Sequence, residues 1–375
     1  MQSRIDDMLA MLESPISAIR ARAVLLLGHA EHMLSMERLD QLYEDGDSAT
    51  RVAVLKYLAR NLPPDHIQFA LKGLTDSANS VRLTALQHLI TFPNTSAASS
   101  LELLLKNPNF HRHDLVIRAM GVCKDNHALW LLLSILEDVH SPYQMLAGDS
   151  ISRLDARPIT DHLLRLLISD DEKTVFAAIL ALAPVNDTGI IQPVLHVMNR
   201  WWTTSKSRIP NEAVQVLDKF RDIRIRDALL QILSIKYDVP NDYGIIGRSS
   251  AIHLLGNYSQ PQVISYLVGL LQNGDSWDRN AATYAFTKMR SAKAVDALLA
   301  NIVHETDQGL LMNYSYALAK LGDKRAVPVL EALMQRDPQT KASIETNLRA
   351  LNPPTPVKEQ SQGRFSKLKL RLRLR

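Results

Sequence analysis

The strongest constraint on this 375-residue chain is a unit that returns about every 31 residues. Residues 76–107 show it most plainly. A polar turn, Asp76-Ser77-Ala78-Asn79, leads into Val81, Ala85, Leu86 and Leu89, which share one face of a helix. After a break at Pro93 and Asn94, Leu101, Leu104 and Leu105 form the apolar set of a second helix. Such a pair leaves its apolar stripe half exposed unless neighbours of the same kind stack on it. The chain supplies them. Small or apolar anchors of the first helices fall at Ala23, Val54, Ala85, Ala119, Ala147, Ala178, Ala213, Ala251, Ala282 and Ala317, separated by 28 to 38 residues. Arginine stands three residues before five of them, at Arg20, Arg51, Arg82, Arg248 and Arg279. The expected fold is an all-α solenoid, an α-α superhelix of about ten helix pairs over residues 1–351 with a terminal helix near 342–350.

The segment Leu321-Gly322-Asp323-Lys324-Arg325-Ala326-Val327-Pro328-Val329-Leu330 resembles the short HEAT-like repeats of the phycobilisome-lyase type, as does the turn before Val81, Arg82 and Ala85. In that resemblance Asp323 caps the second helix. Pro328 sits in the first turn, where amide hydrogens lack intrahelical partners. Gly28, Gly256 and Gly322 fall where first helices end, as C-terminal caps do. The resemblance specifies fold and leaves activity open, because many functions share the repeat.

Composition agrees with helices: 46% of residues are hydrophobic, and 14 glycines with 6% aromatics are too few for a turn-rich β fold. The one cysteine, Cys123, excludes an internal disulfide framework and reads as buried filler in a reducing compartment. Residues 1–13 carry Asp6 and Asp7 without a basic start and apolar run, so no secretory signal is expected. No apolar stretch reaches the roughly 18–20 residues that span a bilayer, and the expected location is cytoplasmic. The net charge of +4 is set by the last twelve residues, whose six cations leave −2 for residues 1–363. The body therefore offers no net basic surface to nucleic acid.

Copies of the unit fail in a few places, and these are where function is sought. Surplus residues fall in 199–210 and 236–248, both between one repeat and the next, so stacking makes them neighbours. They present Trp201, Trp202, Lys206, Arg208, Tyr237 and Tyr243, an aromatic and basic set typical of protein interfaces. The same tryptophans also suit stacking on nucleobases, or plugging a gap in an irregular core. Residues 352–363, with Pro353, Pro354 and Pro356, read as a linker. In the tail, 364–375, Lys367, Lys369, Arg371, Arg373 and Arg375 alternate with leucines. As a strand this segment puts leucine on one side and charge on the other, suited to a partner's sheet edge, an anionic membrane or nucleic acid.

No chemical constellation of comparable strength appears. His29 and His32 lie at a helix end, and His111 and His113 in a loop, each pair without an identifiable third metal ligand. His304-Glu305 is a single pair, whereas the HEAT-like deoxyhypusine hydroxylases hold two irons with several. Neither a phosphate-binding glycine loop nor a serine elbow occurs. The leading expectation is a non-enzymatic, cofactor-free scaffold that binds a protein along its concave face. The alternatives are a HEAT-like enzyme, related to phycobilin lyases or to alkylpurine DNA glycosylases (with Trp201, Trp202 and Asp218 inviting the latter comparison), or an adaptor held at a membrane by its basic tail.

Overall fold

The computed structural model describes residues 2–44, 46–63, 65–202, 207–235 and 242–351, the side chains of Gln2 and of 242–245 excepted. The described residues form twenty-two α-helices and three short 3-10 turns, with no strand. The architecture is an α-solenoid of paired helices. After α1 (Gln2–Met11), the first helix of each pair is α2 (Ser17–His29), α4 (Ser48–Asn61), α6 (Asn79–Thr91), α8 (His113–Met120), α10 (Gln144–Ile151), α12 (Glu172–Leu182), α14 (Ile209–Leu217), α16 (Asp242–Leu255), α18 (Ser276–Met289) and α20 (Gln308–Leu321), with α22 (Lys341–Leu351) closing the series. The second helices are α3 (Met36–Glu44), α5 (His66–Gly73), α7 (Ala98–Leu105), α9 (Asn126–Glu137), α11 (Thr160–Leu166), α13 (Ile191–Trp201), α15 (Ile223–Leu233), α17 (Pro261–Asn273), α19 (Ala292–Ile302) and α21 (Ala326–Arg336).

The chain divides into two compact units, 1–225 with 237–247, and 226–236 with 248–375. Within the first unit each first helix from α2 to α14 packs on the next; within the second, α18, α20 and α22 do the same. All ten anchor positions are at most 1% exposed. The 31-residue period is thus the spacing at which a small side chain returns to the seam between helices.

The arginines three residues before the anchors join successive turns. Arg51 donates through Nε and Nη2 to the two carboxylate oxygens of Asp76, at 2.7 and 2.9 Å, and through Nη1 to Gly46 O at 2.7 Å. Arg20 reaches Asp47 with one bond, through Nη2, while Arg248 reaches Asp278 and Arg279 reaches Glu305 with two bonds each. Each also donates to a carbonyl of the turn before its own helix, Ser14, Leu233 and Gly274 respectively. A guanidinium suits this work because its planar fork satisfies a carboxylate with two bonds and retains a donor for a carbonyl. The carboxylates serve twice. Asp47 accepts from Ala49 N and Thr50 N to cap α4, Asp76 accepts from Ala78 N, and Glu305 from Thr306 N and Asp307 N. In the next turn after Asp76 no carboxylate is offered, and the Arg82 guanidinium lies 5.8 Å from the Phe110 ring centroid. Further along, Gln144 makes a neutral version of the joint, donating to Leu136 O and to Thr174 Oγ1.

The glycines divide into two roles. Gly322 has φ +73° and ends α20 in the left-handed conformation, the C-terminal cap expected of it. Neither Gly28 nor Gly256 is left-handed: Gly28 lies inside α2, and Gly256 directly follows the last residue of α16. A Cβ on Gly256 would stand 2.5 Å from Ala285 O, and one on Gly28 3.0 Å from the Tyr57 ring, so both are small because a neighbouring first helix crosses there. Pro328 occupies the first turn of α21, and Asp323, two residues before the N-cap Arg325, accepts from Arg325 N and so does not cap the helix as expected.

Candidate functional site

The second unit presents an unusual outward face on α18, α20 and α22. Asp275 accepts from Asp278 N to cap α18, and Asp307 accepts from Leu310 N to cap α20. The two caps are 32 residues apart, so the two helices start in the same register and equal offsets from each cap share a position. Nine residues on stand Tyr284 and Tyr316, 41% and 44% exposed. Met312, 38% exposed, lies one turn before Tyr316. The rings and α22 residues Ser343 and Thr346 border an open groove of about 500 Å³.

An amide row crosses the same face. Asn313 Nδ2 on α20 donates to Asn280 Oδ1 on α18 at 2.8 Å, and Asn347 Nδ2 on α22 donates to Ser315 Oγ on α20 at 2.8 Å. All three asparagines are half-buried. Behind Tyr284, His253 of α16 meets the ring edge-on at 5.5 Å. Burial, reinforced by the charge of Lys288, lowers the His253 pKa, so the imidazole is neutral at pH 7. The Lys320 ammonium lies 5.5 Å from the Tyr316 centroid. Nearby carboxylates are engaged: Asp275 and Asp307 as caps, Asp278 with Arg248, and Glu345 with Arg349. What reaches solvent is tyrosine, methionine, amide and hydroxyl, with Lys288 and Lys320 in one register at the edge. This is the composition of adaptable protein-binding surfaces, where rigid amphipathic rings supply contact area and amides supply hydrogen bonds.

The residues singled out by the sequence fall elsewhere. Trp201 ends α13 half-buried, with the Arg200 guanidinium 5.4 Å from its ring. Trp202 is 2% exposed and among the largest buried side chains, so it fills the interior and has no ring to offer a partner. The helix continues through Trp201 and turns the next side chain inward, which is the core-filling alternative for these tryptophans. Arg208 is exposed, 5.2 Å from the Phe176 centroid and 3.7 Å from Glu212. The start of α16 does lie beside α14: a Cβ on Gly247 would be 3.4 Å from Pro210. Tyr243 belongs to α16 with its side chain outside the described residues. Lys206, Tyr237, Lys367, Lys369, Arg371, Arg373 and Arg375 also lie outside them.

The candidate chemical groups have structural partners. The carboxylate of Glu305, 5% exposed, holds Arg279 and two backbone amides, while its neighbour His304 is exposed. Burial pushes the Cys123 thiol up to about 11, and Sγ donates to Met120 O at 3.1 Å, which leaves it a thiol at neutral pH. Among the described residues no three His, Cys, Asp or Glu side chains are placed to hold a metal. No helix among them is long and apolar enough to cross a membrane.

Residues 315–336, the end of α20 and all of α21, match the family model of the PBS lyase HEAT-like repeat. No curated protein matches the sequence. Among solved structures the chain is similar to a multiply substituted Kap121p, with TM-score 0.60 and 12% identity over 94% of this chain and 45% of that one. Kap121p bound to RanGTP gives TM-score 0.56 at 12% identity, over 94% and 45% of the two chains. Kap121p bound to Pho4p gives 0.57 at 13%, over 89% and 43%. The chain spans less than half the length of Kap121p, and at these identities the likeness is one of fold.

Proposed function

We propose that this HEAT-like repeat protein is a scaffold that binds a protein partner, with no catalytic step of its own, and that the face of α18, α20 and α22 is where the partner sits. The observation that carries this is the pair Tyr284 and Tyr316, two exposed rings in one register on neighbouring helices beside an open groove. A ring held on a rigid helix loses little conformational freedom on binding, which is why tyrosine anchors interfaces. The repeat serves the same end. Its titratable groups are engaged in joints and caps, and its outward helix faces are left to vary. Kap121p, bound in solved structures to RanGTP and to Pho4p, is a precedent for protein binding on this fold.

Trp201, Arg208 and the basic tail from Lys367 to Arg375 are secondary contacts in this reading, the tail toward an anionic surface. The single buried cysteine suits a reducing compartment, and we place the protein in the cytoplasm. Affinity purification of the full chain from its native host, quantified by mass spectrometry, tests the site. The wild type retains a protein partner that Tyr284→Ala/Tyr316→Ala loses and Trp201→Ala keeps. Equal retention by the tyrosine double variant removes this face as the site.

A further inference from the structure

Resting on that reading, we infer that the partner enters the α18–α20–α22 face as an extended peptide segment lying across the helices, recognised through its main chain by the asparagine row and carrying an acidic residue toward Lys320. The argument begins with unfinished hydrogen bonding. Asn313 and Asn280 share one bond, and Asn347 makes one to Ser315. Each primary amide has two donors and an acceptor of two lone pairs, so both donors of Asn280 and the carbonyl oxygens of Asn313 and Asn347 have no protein partner among the described residues. None of these amide atoms is sealed from solvent, so water completes their bonding until a partner that can both donate and accept displaces it.

The chemistry of the missing partner follows. A helix has already satisfied its backbone groups along its length, so a helical surface brings side chains only. An extended segment presents unpaired N–H and C=O groups in series, matched by amides that can both donate and accept. The spacing agrees. Packed helices lie roughly 8–10 Å apart, and three residues of a polyproline-type chain advance about 9.3 Å. Each bonded pair bridges two neighbouring helices, so the two amide points, Asn280–Asn313 and Asn347–Ser315, lie about one helix spacing, or roughly three such residues, apart. Tyr284 and Tyr316 repeat at the same interval and form two ridges between which side chains of the segment lodge. Lys320 sets the sign of the flanking charge, since the carboxylates around the groove are already engaged by caps and arginines. The same sign argues against the chain's own tail, with its five cations from Lys367 onward, as the occupant.

A phage-displayed library of linear twelve-residue peptides, selected on the full-length protein, tests the inference. Enriched peptides are then synthesised with a fluorescein label and titrated by fluorescence polarisation. The expected result is a set with Asp or Glu at one end whose affinity falls at least tenfold against Asn280→Ala/Asn313→Ala. N-methylation of single central backbone amides causes a similar loss. Circular dichroism and a thermal midpoint within a few degrees of wild type verify that the variants are folded. Failure to enrich any linear peptide overturns the inference, as does unchanged affinity in both the asparagine variant and the N-methylated peptides. If the native partner is lost by Tyr284→Ala/Tyr316→Ala while the asparagine variant retains it, the face binds a folded surface: the protein-binding reading stands and the extended segment falls. If the tyrosine variant also retains it, both fall.

Discussion

The first three repeats and the last three helices of the first-helix layer use one framework for different surfaces. In α2, α4 and α6, as in α18, α20 and α22, the anchors are buried and arginines of the framework tie one turn to the next. The outward position nine residues after the N-cap separates them. It holds half-buried Leu25 on α2 and exposed Lys56 and Gln87 on α4 and α6, against Tyr284 on α18 and Tyr316 on α20. Lys56 and Gln87 are exposed, as are Arg60 one turn beyond Lys56 and Arg22 on α2, an ordinary solvated exterior. The joints therefore specify the fold in both regions, and the exposed offset is free to carry binding in one of them.

The widest gap between framework and surface is expected at Arg51. Arg51→Ala leaves the Asp76 carboxylate, 9% exposed, without its bidentate partner and lowers stability by about 3 kcal/mol in urea denaturation. Arg22→Ala on the same exterior changes stability by less than about 0.5 kcal/mol. Equal effects of the two would dissolve the distinction between joint and surface.

The mirror-image prediction concerns Tyr316→Ala. It weakens partner binding about 30-fold, roughly 2 kcal/mol, in isothermal calorimetry, and leaves the thermal midpoint within a few degrees of wild type. A fall of ten degrees or more would mean that the ring belongs to the framework.

A third contrast lies inside the first region. His88 on α6 is 3% exposed and stands 2.8 Å from Nδ1 of His66 through its own Nε2. Burial, with the neighbouring His66, lowers its pKa to about 4. The unfolded chain then binds a proton near pH 6.5 that the folded chain refuses, so this stabilisation is complete above that pH and is lost as the pH falls toward 4. The loss between pH 7 and 4.5 is about 2 kcal/mol, and His88→Leu flattens that part of the profile. A wild-type stability curve with no slope in that window would contradict the placement of His88.

The smallest effect comes from α17, where a Cβ on Gly269 meets nothing within 4 Å. Gly269→Ala raises stability by about 0.5–1 kcal/mol, measured as a higher thermal midpoint, without change in binding. A lower midpoint would show that the helix needs its glycine.

Much of the framework was legible because burial writes itself into sequence. The anchors recur at helical spacing, and all ten proved buried. The five arginines were visible too, but their partners lie 25 to 30 residues ahead where a carboxylate takes part, and only packing reveals them. The surface was harder to read. Counting from Ala282 to Ala317 gives 35 residues, whereas the caps Asp275 and Asp307 are 32 apart, so Ala285 is the true counterpart of Ala317. That slip hid the match of Tyr284 with Tyr316. At Trp202 the sequence left two readings open, an interface ring beside cations or a plug in an irregular core, and the turn that ends α13 puts this ring in the core.

The arginine joints also give the array a direction. Except at Arg82, each guanidinium holds the turn before its own helix and reaches forward to a carboxylate that arrives only with the next repeat. The two ends of a shortened array are therefore unequal. Removing repeats after α4 strands Arg51 with one of its three bonds, whereas removing those before it leaves Asp47 still capping its helix. A chain made from the N-terminus onward thus carries an unfinished joint at its growing edge. Each new repeat completes the last joint, and wherever it brings an arginine of its own it opens another.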